Sequence, residues 1–422
     1  MTSYHRRVYL YPEDAYAMAL VKLGSGSNLL GYYMYHGGTN PDGHLTYLNE
    51  CQKTPATNHN DLPVKTYDFQ APLGEFGQKN PHYYSLRPLH LFMRDFGELL
   101  APMEAVFPVD IEPKKGDDSR LRWSYRSIVS PSGDDRRASS FVFINNYERF
   151  ANLTAKHGVQ FEVGDVTFPR KPITIPAGMM TLFPVNLPVG SSVINWATAQ
   201  PVAWRNGRMW FEQKAGIAAE FCIDGKVRSV KKTSMERPFA TIGETELYLI
   251  STKEAERLGL ADDFIELSSP DPYGKGQGMG LLFQKLREAG TPRAITIGVQ
   301  KVAEEPVDAD FDNAAVYRIT LPTDSSIFAP PHTGGGWEGT LLEITYRGDV
   351  ARLYADGKLI ADNFYNGRPF LFGLWRLPAG VKELELRILP LQKDMPVYFP
   401  READVKTPGE EVMSVTIGSP RR

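Results

Sequence analysis

Hydrophobic and polar positions change rhythm once along this chain, near residue 104. Before it the spacing is mainly helical. Pro12 followed by Glu13 and Asp14 opens a segment with Tyr16, Leu20 and Leu23 on one face, Lys22 in the last turn and Gly24 and Gly26 as stops, which predicts a helix. Residues 29–35 follow as a nearly continuous apolar run, the pattern of a parallel strand covered on both faces. A second helix is predicted from Ser85, with Pro88 in the tolerated first turn and Leu86, Leu89, Met93, Phe96 and Leu100 as its buried stripe. Between strand and helix lies a connection far longer than the usual 2 to 6 residues of a βα loop, and loops of that length are commonly functional. It carries Tyr47, Tyr67, Asp68, Phe69 and Glu75.

After residue 104 the pattern is that of antiparallel β structure. SSFVFINNY, ITIPAGMMTLFPVNL, SSVINWATAQPVAW and RMWFEQKAGIAAEFCIDGKVRSV are short β-branched or aromatic runs punctuated by Gly, Pro and Asn. Asp356-Gly357 between alternating runs predicts a hairpin, and VKELELRILPL alternates from Val381 to Leu389. Two helical islands, 254–258 and 281–289, read as an insertion.

Composition narrows the function classes. Lys and Arg number 47 against 50 Asp and Glu, a net charge of −3, so the chain lacks the basic field that nucleic-acid phosphates require. The densest basic run, KVRSVKK at 226–232, alternates with Val227 and Val230 and reads as a strand with a solvated face. No apolar stretch approaches the roughly 18 residues of a membrane helix. Residues 1–16 lack the apolar core and small-residue cleavage site of a secretion signal, and the compartment stays open. Cys51 and Cys222 show no ligand spacing and read as inert thiols.

Other motif fragments carry little. GKGQGMG at 274–280 follows no strand and reads as a loop rather than a nucleotide site. DADFDN starts like a calcium loop but has Asn313 where Gly should be and Ile319 where the closing Glu should be. No cofactor and no metal are expected. Asn152-Leu153-Thr154 is a glycosylation sequon, meaningful in a secreted eukaryotic protein. Trp204, Trp210, Trp337 and Trp375 could stack on sugar faces, although packing is the commoner use of Trp in sandwiches.

The sharper signal is a pair of segments. YYMYHGGTN followed by TYDFQAPLGEFG resembles the end of the catalytic barrel of glycoside hydrolase family 35, the β-galactosidases. SFVFINNY, ITIPAG and ATAQPV resemble that family's β domains, and DGKLIADNFYNG with LELRILPL its terminal jelly-roll module. The resemblance implies a mainly β chain: antiparallel β-sandwich and jelly-roll domains preceded by the last helix-strand-helix portion of a (β/α)8 barrel. The implied division is 1–104 for the barrel end, 105–242 for an antiparallel β domain, 243–322 for a β region with a helical insertion and 323–422 for a galactose-binding-like jelly roll. Gly37, Gly38, Thr39, Asp68 and Glu75 would shape the barrel end, and Tyr35, Asn40, Tyr67 and Phe69 would contact sugar. Two positions depart from the family pattern, Phe69 for its second Tyr and Gln70 for its second Asp. Losing the hydroxyl at Phe69 removes one hydrogen bond, worth about 0.5 to 1.5 kcal/mol net.

Retaining glycosidases need two carboxyl groups about 5 to 5.5 Å apart. A (β/α)8 barrel takes about 250 residues, so only its end would fit here, with the family's catalytic glutamates upstream. Asp42, Glu50, Asp68 and Glu75 match positions that shape the barrel end instead. The expected partner is a β-galactoside or related glycan, and the missing barrel part or a second copy is a further candidate partner. A non-catalytic carbohydrate-binding or scaffold protein is the alternative.

Overall fold

The computed structural model describes residues 3–44, 62–108, 117–128, 138–261, 264–267, 279–299, 301–330 and 339–418. The chain divides into two compact units. It is mainly β, with antiparallel sheets in both.

One unit comprises Tyr11–Tyr32 and Pro81–Pro272. Helix α1, Pro12–Gly24, starts and stops where Pro12 and Gly24 predict, and it buries Tyr16, Ala19, Leu20 and Leu23. The Tyr11 N–H donates to the Asp14 carboxylate at 2.9 Å, which satisfies one of the orphan donors at the helix start. Helix α2, Pro81–Leu100, begins four residues before the expected Ser85, so Pro88 lies inside it. An internal proline removes a backbone donor, and the burial of Leu86, Leu89, Phe92, Phe96 and Leu100 offsets that cost through packing.

Both helices bury these faces against Phe141 and Phe143 of a seven-stranded antiparallel sheet and Met209 and Phe211 of a four-stranded mixed sheet. The seven strands run, in spatial order, Lys226–Val230, Ala219–Ile223, Ser192–Ala197, Met180–Val189, Ser140–Asn145, Arg122–Ser127 and Glu104–Val106. Lys226–Val230 forms the edge strand with its charges in solvent, and Val227 is exposed beside them rather than on a covered face. Arg126 closes the ends of both helices. Its guanidinium donates to the carbonyls of Leu23 and Ala101, to that of Met103 at 2.8 Å and to the Asn28 side chain at 2.8 Å. Carbonyls left over at helix C-termini are thereby paired with a cation, the sign the helix dipole favours there.

The other unit comprises Met1–Leu10, Tyr33–Asn80 and Tyr273–Arg422. Two sheets enclose its core. One has the order Met279–Gly280, Glu411–Gly418, Leu341–Arg347, Phe370–Gly373; the other Phe283–Arg287, Ala315–Thr320, Glu383–Ile388, Val350–Ala355, Lys358–Phe364. Leu342, Ile344, Val415 and Ile417 from the first meet Tyr317, Leu353, Leu384 and Leu386 from the second. Asp356 and Gly357, with φ of 48° and 76°, turn the predicted hairpin in the left-handed pair that a two-residue loop requires.

Three sequence expectations are corrected. Residues 29–35 form no strand, and Leu29 and Tyr33 are 88% and 73% exposed. A strand needs partners for its rows of N–H and C=O groups, and no described strand lies beside this run. The strand between the helices is instead the two-residue Gly38–Thr39, paired with Thr66–Tyr67. Residues 283–287 of the expected helical island 281–289 are an edge strand, because pairing with Ala315–Thr320 outweighs a short helical pattern. At 254–258 the helix is Thr252–Ala255, capped by Ser251, and Leu258 already opens a strand.

Candidate functional site

The segment 33–40 and the segment 62–80 meet through backbone first. The Leu73 N–H donates to the Tyr35 carbonyl at 2.9 Å, the Gly37 N–H to the Leu73 carbonyl at 2.8 Å, and the Asn40 N–H to the Lys65 carbonyl at 2.8 Å. Gly37 sits where a side chain would not fit. A Cβ there would lie 2.7 Å from the Glu75 nitrogen and 2.9 Å from the Asp68 Cα and Oδ1. Gly38, in contrast, faces open space. Only the first glycine of the pair is demanded by close approach.

Glu75 is buried and receives three side chains. The Thr39 hydroxyl donates to Oε1, the Thr66 hydroxyl to Oε2, and the Arg376 guanidinium lies 3.9 Å from Oε1. Burial pushes its carboxyl up to about 8; Thr39, Thr66 and Arg376 pull the other way and Asp68 adds to the rise. Burial also raises Asp68, against the backbone N–H groups of Glu75 and Ala71 that it accepts. Both carboxyls hold the loop to itself. Asp42 is a surface group bracketed by Lys65 and Lys358, which hold its carboxyl below the usual range. Glu50, Tyr47, Cys51, Trp337 and residues 274–278 of GKGQGMG lie outside the described residues.

The same two segments carry an aromatic group. The Tyr67 and Phe69 rings meet edge to face, with centroids 4.4 Å apart, and Tyr33 lies 6.2 Å from Phe69. The Tyr33 and Tyr67 hydroxyls hydrogen-bond each other. Phe69 and Gln70 both occupy the left-handed region, at φ of 51° and 56°. Each such residue costs on the order of 1 kcal/mol or more and persists where its surroundings enforce it. The Gln70 side chain supplies that constraint, accepting from the Leu10 N–H at 3.0 Å and donating to the Val8 carbonyl at 2.7 Å.

Residues 2–93 match the family model described as glycosyl hydrolases family 35. The match makes this stretch, 92 of the 422 residues, similar to glycosyl hydrolases family 35. No match was found among curated proteins.

Within the family-35 stretch, the expected site residues fall into two groups. Tyr67 and Phe69 stand together, both half-buried. Asn40 is buried and donates its amide to the Val64 carbonyl at 3.2 Å, while half-buried Tyr35 contributes its carbonyl to the backbone pairing. Tyr33 is the addition the sequence analysis missed. The signal was present in YYMYH, where Tyr33 and Tyr35 are two apart, but which of them is exposed depends on a turn the apolar run disguised. Trp210 is buried, and Trp375 packs edge-on against Phe76 at 6.3 Å. Among the described residues no group of three or more His, Cys, Asp or Glu is placed to hold a metal, and no helix is long and apolar enough to cross a membrane.

Proposed function

We propose that this chain supplies the barrel end and β region of a β-galactosidase-like retaining exo-glycosidase, with terminal β-linked galactose as substrate. The observation that carries this reading is the group of exposed Tyr33 with half-buried Tyr67 and Phe69 beside the Gly-Gly-Thr-Asn segment, inside the stretch that matches family 35. Aromatic faces with hydroxyls at their rim suit the apolar face and equatorial hydroxyls of a pyranose. Asp68 and Glu75 are occupied as structural acceptors, which supports a catalytic glutamate pair on barrel strands outside this chain.

The test is an assay of the chain with an aryl β-galactoside and a titration with methyl β-D-galactoside. Binding without turnover is expected, weakened at least about fivefold by Tyr67→Ala or Phe69→Ala, since stacking contacts of this kind contribute about 1 kcal/mol or more. Turnover by the chain itself that disappears in Asp68→Asn or Glu75→Gln would overturn the reading. Galactoside binding that survives both aromatic changes would point to a carbohydrate-binding module instead.

A further inference from the structure

The two-stranded ribbon Gly38–Thr39 with Thr66–Tyr67 leads directly into the aromatic group. It is too short to hold itself in place, and two charged side chains of the sandwich in the same unit take hold of it. Asp362, on the strand Lys358–Phe364, is 2% exposed. Its Oδ2 accepts the Val64 N–H, and its Oδ1 accepts the N–H groups of Lys65 at 2.8 Å and Thr66 at 3.0 Å. Three successive backbone donors thus converge on one carboxylate, as in the nests that bind free anions. Tyr67 is the next residue.

Arg376 grips the other strand. Its guanidinium donates to the Thr39 hydroxyl and, at 3.2 Å, to the Glu75 carbonyl. It also lies over the Phe76 ring, 4.9 Å from the centroid. One anchor therefore fixes the approach to Tyr67 and the other fixes Thr39 and the Glu75 turn. Backbone pairing alone could satisfy the N–H groups of residues 64–66 without burying a carboxylate. What the carboxylate adds is a fixed point on a rigid sheet, and supports of that kind keep recognition groups within the small tolerance that binding requires.

Resting on the galactoside reading above, we propose that Asp362, with Arg376 as its counterpart, is a positioning residue that holds Tyr67 and Phe69 pre-organised for the sugar. Neither residue touches the sugar in this proposal; both act through the ribbon. The sandwich is then part of the recognition apparatus and more than an appended module.

The experiment uses the full chain with 19F-labelled tyrosine, methyl β-D-galactoside as probe, and the variants Asp362→Asn and Arg376→Met. Asn offers one acceptor oxygen to three donors, so amide exchange at residues 64–66 should rise about tenfold or more while Glu383–Ile388 and Leu341–Arg347 stay protected. The Tyr67 fluorine signal should shift or broaden in both variants, and the galactoside Kd should rise about tenfold, the effect of a misplaced contact. Freed amides with an unchanged Tyr67 signal and unchanged Kd would overturn the proposal. So would loss of protection throughout the sandwich in both variants, which would mark the two residues as general structural supports. If the parent chain binds no galactoside, the function reading fails by itself, and the Tyr67 signal still decides whether Asp362 positions that ring.

Discussion

Arg7 and Asp349 form an ion pair in which neither side chain has more than 1% of its surface exposed. The guanidinium also donates to the carbonyls of Asp349 at 2.8 Å and Tyr365 at 3.1 Å, and Tyr4 donates its hydroxyl to the second Asp349 oxygen at 2.8 Å. Three rings, Tyr4, Phe364 and Phe399, surround the cation within 5.5 Å. Removing one partner strands the other charge in a place without water. Arg7→Met is therefore expected to cost about 3–5 kcal/mol, and the double variant Arg7→Met with Asp349→Ala to cost less than the sum of the singles. Urea denaturation of the four proteins in a double-mutant cycle measures both.

Glu75 gives the stability a pH dependence with a definite sign. Its carboxyl is raised from 4.5 to about 8 by burial, so between these values the folded chain holds a proton that the unfolded chain has lost. The contribution is fully present below about 4.5 and is lost as pH rises through about 8. Glu75→Gln, which cannot ionise, should match the parent near pH 5 and exceed it near pH 9. Denaturation midpoints across that range decide it; a Gln variant that loses stability with pH as steeply as the parent would contradict the assignment.

Gly37 and Gly38 should respond differently to the same change. Gly37→Ala drives a methyl group into backbone at the Glu75 nitrogen and the Asp68 Cα, and a loss of about 1–3 kcal/mol is expected. Gly38→Ala meets nothing within 4 Å and should stay within about 0.5 kcal/mol of the parent. Thermal melts of both variants, compared with Tyr67 ring signals, would show whether the ribbon moves only in the first.

Arg126 is the corresponding weak point of the other unit. Arg126→Met leaves the carbonyls of Leu23, Ala101 and Met103 without their donor, and a cost of about 2–4 kcal/mol is expected. Hydrogen exchange should rise first at the C-terminal turns of α1 and α2. Exchange confined to the distant hairpin Lys156–Val163/Val166–Ile175 would contradict the capping role.

The sequence carried local structure wherever the local signal had one physical solution. Pro12 with two following acids and Gly24 admit a helix of that length, and Asp356-Gly357 between alternating runs admits a tight hairpin; both occur. Tyr67 and Phe69 were also legible as neighbours, being two residues apart in a segment that resembles a sugar-binding loop. Short apolar runs were ambiguous. Residues 29–35 and 281–289 could pair, coil or wind, and their state follows from which backbone donors lie beside them, a fact the run itself does not contain. The anchors were invisible for the same reason. Asp362 and Arg376 sit in an alternating strand and after a short edge strand, where a charge normally means solvent. Only the tertiary structure brings buried Asp362 and exposed Arg376 to the ribbon, because hydrogen-bond donors at residues 64–66 and acceptors at Thr39 and Glu75 reach them across the fold rather than along the chain.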